Sequence, residues 1–234
     1  MRHTLRGLMR TAIRSIVPPL LLALLIPVGA SAQSVAEVVE GMYAAAERQA
    51  APVQDYTLTQ RVMGVETFNY FEKEIIDGRP VFRLKMSDGA GFSLSLAGED
   101  VGLGDVFLYG PDLVEHARYE GIEKIGNFSV HVLAVDDAAT VGIVPPGSAD
   151  QSAFTPKSLR LFVDTTLMIP RRVVIEGDAT TDTGSRPLTI QMDMASFLPI
   201  ESLWVPFMTS LQVAGMTVEV TVAEVLINAG RPEA

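Results

Sequence analysis

No cysteine occurs among the 234 residues. That excludes disulfides, thiolate metal sites and thiol nucleophiles. It also excludes a lipid anchor of the bacterial lipoprotein type, which needs a cysteine at the point of cleavage. Histidine is nearly as scarce, with His3, His116 and His131 the only three. None of them forms a pair four residues apart, and no H-E-x-x-H is present, so a zinc site is not expected. A G-x-S-x-G elbow, a P-loop and a G-x-G-x-x-G after a strand are missing too. Beyond residue 32 there is no long apolar run, so no spanning helix is expected there.

The first 32 residues differ from the rest. Arg2, Arg6, Arg10 and Arg14 precede a short apolar stretch, Ile16 to Val28, and Ala30-Ser31-Ala32 is a small-residue cleavage site. The stretch is shorter than the about 18 to 20 residues a membrane span needs, and Pro18, Pro19 and Pro27 interrupt it. Residues 1–32 therefore read as a secretory signal cut before Gln33, and 33–234 as one domain. Basic residues are few in that domain. Removing the four arginines leaves 14 basic against 28 acidic residues, a net charge of −14 with histidines neutral. Such a chain is not expected to bind nucleic acid or to dock through a basic patch on anionic lipid. It suits a soluble, exported protein.

What is abundant is alternation. Ser34-Val35-Ala36-Glu37 has the form of a capping box, and Val35, Val38, Val39, Met42, Tyr43 and Ala46 repeat at helical spacing, so a helix is expected over Ser34–Gln49. After Pro52 the period becomes two. Tyr56/Leu58, the run Val65 to Ile76, and Phe82/Leu84/Met86 read as a meander turning at Met63-Gly64 and Asp77-Gly78-Arg79-Pro80. Phe92–Leu96 and Val101–Tyr109 read as short strands, and Pro111 to Arg118 as a short helix. Tyr119–Ile125 and Phe128–Val135 form a hairpin around Gly126-Asn127. The segment from Asp136 to Pro156 is irregular, and its Val141-Gly142-Ile143-Val144 is either a flap over an apolar surface or a surface excursion.

The strongest hairpin lies at Lys157–Gly177. Leu159, Leu161 and Val163 are joined through Asp164-Thr165-Thr166 to Ile169–Ile175, with Arg160, Asp164, Arg172 and Glu176 assigned to the polar face. Three more strands follow, Pro187–Phe197, Leu203–Val213 and Met216–Ile227, the last two joined at Ala214-Gly215. About ten strands with one apolar face each make a large antiparallel sheet, which curls and turns its apolar faces inward. The inside is then either an ordinary core or a hydrophobic cavity. The ten methionines suit an adaptable cavity or plain gap-filling equally. Asp136-Asp137 could hold a cation or serve acid/base work, but an acidic pair at a strand end is more often a turn. Glu115-His116 reads as a solvated helix face.

The order of these motifs resembles the LolA-like carriers, the periplasmic outer-membrane lipoprotein-sorting proteins. The resemblance rests on the signal and first helix and on Asp55-Tyr56-Thr57-Leu58-Thr59-Gln60-Arg61-Val62. It rests also on Tyr119-Glu120-Gly121-Ile122-Glu123 leading through Gly126 to Val130-His131-Val132-Leu133, and on Leu161-Phe162-Val163-Asp164 before Ile169-Pro170-Arg171. It implies a mainly β (α+β) fold, a single curved antiparallel sheet forming an unclosed β-barrel with an N-terminal helix and short lid helices. It also implies a non-enzymatic periplasmic carrier or chaperone, without cofactor or metal, that takes lipid or lipoprotein acyl chains across the envelope as a monomer. Its partners would be an inner-membrane transporter and an outer-membrane acceptor.

Residues expected on the concave apolar face are Tyr56, Leu58, Phe82, Leu84, Phe128, Leu161, Val163, Ile190, Met192, Trp204 and Phe207. Arg79-Pro80-Val81-Phe82 is similar to the family's Arg-Pro latch, one residue shorter to the phenylalanine, which implies Arg79 as the lid latch; the residues alone also fit a simple turn. Two other functions remain open: an envelope regulatory or sensor module of the same fold, and a hydrolase using carboxylates such as Asp136 and Asp137.

Overall fold

A computed structural model describes residues 33–88, 96–97, 100–143, 154–181 and 184–232. The signal segment, the expected strand at Phe92–Leu96 apart from Leu96 itself, and the loop from Val144 to Ala153 lie outside the described residues. Helix α1 (Val35–Ala50) begins where the capping box places it: the Glu37 amide donates to Ser34 Oγ at 3.2 Å and the Ser34 amide donates to Glu37 Oε2 at 2.7 Å. These bonds satisfy two main-chain donors that a helix start otherwise leaves open.

Ten strands follow: β1 (Asp55–Val62), β2 (Val65–Ile76), β3 (Arg79–Ser87), β4 (Arg118–Ile125), β5 (Phe128–Val135), β6 (Phe154–Asp164), β7 (Pro170–Thr181), β8 (Gly184–Ile200), β9 (Leu203–Val213) and β10 (Met216–Ile227). They make one antiparallel sheet in the order β3-β2-β1-β10-β9-β8-β7-β6-β5-β4. Two-residue loops drive the hairpins; Asp77-Gly78, with φ of +50° and +78°, adopts the left-handed pair that matches strand twist. The first and last strands are neighbours inside the sheet, with Tyr56 opposite Ile227 and Val62 opposite Val220. The sheet is an open, curved barrel whose free edges are β3 and β4. Main chain from 100 to 103 covers part of the β3 edge: Phe82 donates to Leu103 O at 2.9 Å, Gly102 to Phe82 O at 2.8 Å and Leu84 to Asp100 O at 2.8 Å. Such cover blunts an exposed strand edge.

Between β3 and β4 the chain forms helix α2 (Val106–His116). Two expectations are corrected here. Val101–Tyr109 is not a strand: only Val101 makes a bridge, opposite Arg83, and the helix starts at Val106, ahead of Pro111. The physical reason is that Val106, Tyr109, Gly110 and Leu113 recur at helical spacing and are all buried. Pro111 sits in the second turn, where its missing N–H removes one helical bond.

The concave side is largely filled. Val38, Val39, Met42 and Ala46 of α1 pack with Leu133, Leu159, Leu161, Val163, Val173, Ile175 and Met192 of the sheet, and with Val106, Tyr109 and Leu113 of α2. Val141 and Ile143 join the same cluster, so this part of the irregular loop is anchored in the core. A second cluster gathers Ala50, Val53, Tyr56, Leu58, Phe71, Phe82, Leu203 and Val205 around the end of α1. On the opposite face Val130, Val132 and Phe162 form a third, small cluster.

The central hairpin pairs as its pattern predicts, with Leu161 opposite Val173. Its polar face does not. Arg160 lies on the outside with Glu120 and Glu123, Arg172 pairs with Asp193, and Ser158 Oγ donates to Glu176. Asp164, however, is buried. The cause is a β-bulge: Phe162 faces Arg172 but Val163 faces Pro170, so Arg171 is an extra residue in β7. A bulge re-aims the side chain it carries, and Arg171 is buried, donating from Nε to Asp164 Oδ2 at 2.5 Å.

Candidate ligand cavity

One apolar cavity of about 160 Å³ remains between the helices and the sheet. Met42, Ala46 and Gln49 of α1 and Val106 and Tyr109 of α2 form its roof. Tyr56 and Leu58 of β1 and Phe71 of β2 make one wall. Met194 and Phe197 of β8, with Leu203, Trp204, Val205 and Pro206 of β9, make another. The β6–β7 turn contributes Met168, Ile169 and Pro170, and the turn before α2 contributes Leu103, Gly104 and Asp105.

Few bonds hold the roof down. Gln49 is buried at the end of α1, where its Oε1 accepts the Trp204 amide at 2.8 Å and its main-chain oxygen accepts Ser202 Oγ at 2.9 Å. The Arg79 guanidinium, at the β2–β3 turn, lies 4.1 Å from the Tyr43 ring centre on α1 and 5.0 Å from that of Phe107 on α2. The two rings are themselves 5.2 Å apart. Arg79 therefore touches both helices through cation–π contacts, and its Nη1 is buried without a hydrogen-bond partner. At Gly110 the helices approach so closely that a Cβ would stand 2.4 Å from the Tyr43 hydroxyl.

The polar atoms in the walls are few. Tyr56 OH accepts the Leu103 amide at 3.0 Å, its ring stacks on Phe71 at 4.8 Å, and burial pushes its phenol pKa up. Asp105 Oδ2 accepts the Leu96 amide at 2.8 Å. Tyr109 is fully buried, its hydroxyl has no partner, and burial holds its pKa well above the ordinary value, with the Asp105 charge adding to the effect.

Of the residues expected on the concave face, Tyr56, Leu58 and Trp204 line the cavity. Phe82 is buried against Tyr56, 5.2 Å between ring centres, and Leu84 and Phe207 pack on the same cluster. Leu161, Val163 and Met192 face the concave side but are sealed in the core beneath α1, and Ile190 is buried outside the cavity wall. Phe128 is placed differently. It is half exposed at the β4–β5 tip, shares the strand parity of Val130 and Val132, and its ring lies 3.6 Å from the Arg171 guanidinium. Because β5 is buried on both faces, alternation could not tell its two sides apart. Lining residues missed from sequence include Met42, Ala46, Phe71, Asp105, Tyr109, Met194 and the β6–β7 turn. Met42 and Ala46 carried a signal in the buried stripe of α1; the others converge only through tertiary structure.

Candidate catalytic groups are otherwise engaged. Asp136 pairs with Arg118, and Asp137 accepts the Ala139 amide at 3.2 Å at the start of a single 3-10 turn, Ala138–Thr140. His131 is buried, with Tyr119 OH 3.1 Å from its Nδ1, and desolvation lowers its pKa against the opposing pull of Asp164. His116 lies near Glu115 at the end of α2. Among the described residues no three His, Cys, Asp or Glu side chains are placed to hold a metal ion. No helix among them is long and apolar enough to cross a membrane.

No protein-family model matches the sequence, and no curated protein does. Solved structures do. A domain assigned to outer-membrane lipoprotein sorting from Vibrio parahaemolyticus superposes with a TM-score of 0.50 at 12% identity, covering 85% of this chain and 94% of its own. A LolA superfamily protein from Nitrosomonas europaea gives 0.42 at 13% identity over 86% and 96%. A DUF1329 family protein from Desulfovibrio piger gives 0.45 at 12% over 83% and 95%. With an unclosed ten-stranded sheet and two helices over its concave face among the described residues, the chain shares the fold of the Vibrio parahaemolyticus lipoprotein-sorting domain.

Proposed function

We propose that this protein is a periplasmic carrier that shelters the acyl chains of a lipid or lipoprotein in the cavity beneath α1 and α2. Residues 1–32 direct its export and are removed before Gln33. The observation that carries the reading is the cavity itself, apolar on nearly every side and roofed by helices rather than by strands. Each methylene taken from water contributes about 0.8 kcal/mol, so an acyl chain needs no covalent attachment and no cofactor to be held.

The volume also sets a condition. At 160 Å³ the cavity matches a benzene-sized void rather than the roughly 300 to 1,000 Å³ of ordinary ligand pockets. A long chain enters only when the roof moves away. Arg79 is then the latch: it bridges α1 and α2 by ring contacts alone and keeps a donor in reserve. Cargo would come from an inner-membrane transporter and pass to an outer-membrane acceptor.

The test is mass spectrometry of the organic extract of mature protein purified from periplasm without detergent, beside an unrelated periplasmic protein. A stoichiometric lipid or acylated peptide found only with this protein establishes the carrier and names its cargo. An empty extract, together with no change in Trp204 fluorescence on adding acyl probes, refutes it.

A further inference from the structure

Among the described residues that line the cavity, Tyr109 is the one whose side-chain polar atom is buried without a hydrogen-bond partner. It is fully buried and without a partner, although buried polar groups in native proteins are paired with few exceptions. Phenylalanine would fill the same space without the desolvation penalty. Tyr56, across the cavity, differs: its hydroxyl already accepts the Leu103 amide.

We propose that Tyr109 is a ligand-binding donor for the carbonyl oxygen of a neutral acyl ester or amide drawn into the cavity with its chain. This rests on the carrier reading above and specifies what it carries. Two features select the ligand. Tyr109 stays protonated far above neutral pH, so it donates. Asp105, the N-cap of α2 four residues before Tyr109, lines the same cavity, so a carboxylate ligand would meet a like charge in an apolar enclosure. A free fatty-acid anion is disfavoured, and an uncharged acyl linkage is not. Both a glycerolipid and the diacylglyceryl group of a lipoprotein offer that carbonyl.

The experiment compares ester-linked ligands with ether-linked analogues of equal chain length, which lack only the carbonyl. The delipidated mature protein and its Tyr109→Phe variant are titrated with a monoacylglycerol and the matching alkylglycerol. They are then titrated with a diacylated lipopeptide and its dialkyl ether counterpart. Fluorescence of Trp204, the single tryptophan and a cavity residue, reads binding. The wild type should prefer ester to ether by roughly three- to tenfold, the worth of one net hydrogen bond. Tyr109→Phe should bind the ethers as before and lose the preference. The ligand pair in which the preference appears identifies the source.

An equal ester-to-ether ratio in the two proteins overturns the proposal while leaving the carrier reading standing. Failure of every probe to bind the wild type overturns both. Thermal unfolding without ligand gives a separate check: the variant should melt no lower than wild type, and a clear drop would mean that the hydroxyl has a structural partner.

Discussion

Asp164 keeps its charge inside the protein because three donors converge on it. The Thr166 and Leu167 amides, at 2.7 and 2.8 Å, and Arg171 Nε surround its carboxylate. Burial alone would raise its pKa, but these donors outweigh that and leave the value depressed. The folded state thus favours the carboxylate. Its contribution is complete above the unfolded pKa of about 3.9 and is lost as pH falls through the lower folded value. Urea titrations at pH 6 and pH 3 should show a loss of stability at the lower pH that is smaller in Asp164→Asn; an equal loss in both would remove Asp164 from the account. At neutral pH the same variant leaves Arg171 buried and unpaired, and should cost about 3 to 5 kcal/mol. None of this was legible in the sequence, where Asp164 reads as the polar start of a turn. The bulge that inverts Arg171 leaves no mark on the alternation of its neighbours. Tyr109 was hidden in another way, because its glycine-flanked run reads as a strand as readily as a helix.

The elements were more legible than their contacts. All ten strands of the described residues stand out as apolar runs between turn residues, and α1 announces itself by its capping box; the misreading lies between β3 and β4, where a strand was expected over Val101–Tyr109 and α2 was placed too late. What periodicity could not supply is how α1 meets α2. Their contact depends on Gly110 leaving room for Tyr43, so Gly110→Ala should reverse the usual propensity rule. Alanine favours an isolated helix by about 1 kcal/mol, yet overpacking here should destabilise by about 1 to 3 kcal/mol. A melting temperature above wild type would refute the close packing. Arg79→Gln removes the ring contacts that tie both helices to the β2–β3 turn. Stopped-flow binding of a hydrophobic probe should become faster, with stability falling by only about 1 kcal/mol. An unchanged rate would rule out the proposed latch role of Arg79.

For the whole molecule the decisive join is between β1 and β10. Without it the sheet would be two pieces, β1–β3 and β4–β10, meeting only through the helices and the cavity walls. Truncation after Val213 should therefore abolish cooperative unfolding, whereas removing 232–234 should leave the denaturation midpoint unchanged. A cooperative transition in the shorter chain would show that the join is dispensable. The same join imposes an order in time. If the chain is exported as proposed, from its N-terminus through a membrane channel, β1 emerges first and β10 last, and β1 cannot acquire its second neighbour until nearly the entire length is through. The sheet cannot be completed while its tail is still threaded, so the finished architecture belongs only to the released chain.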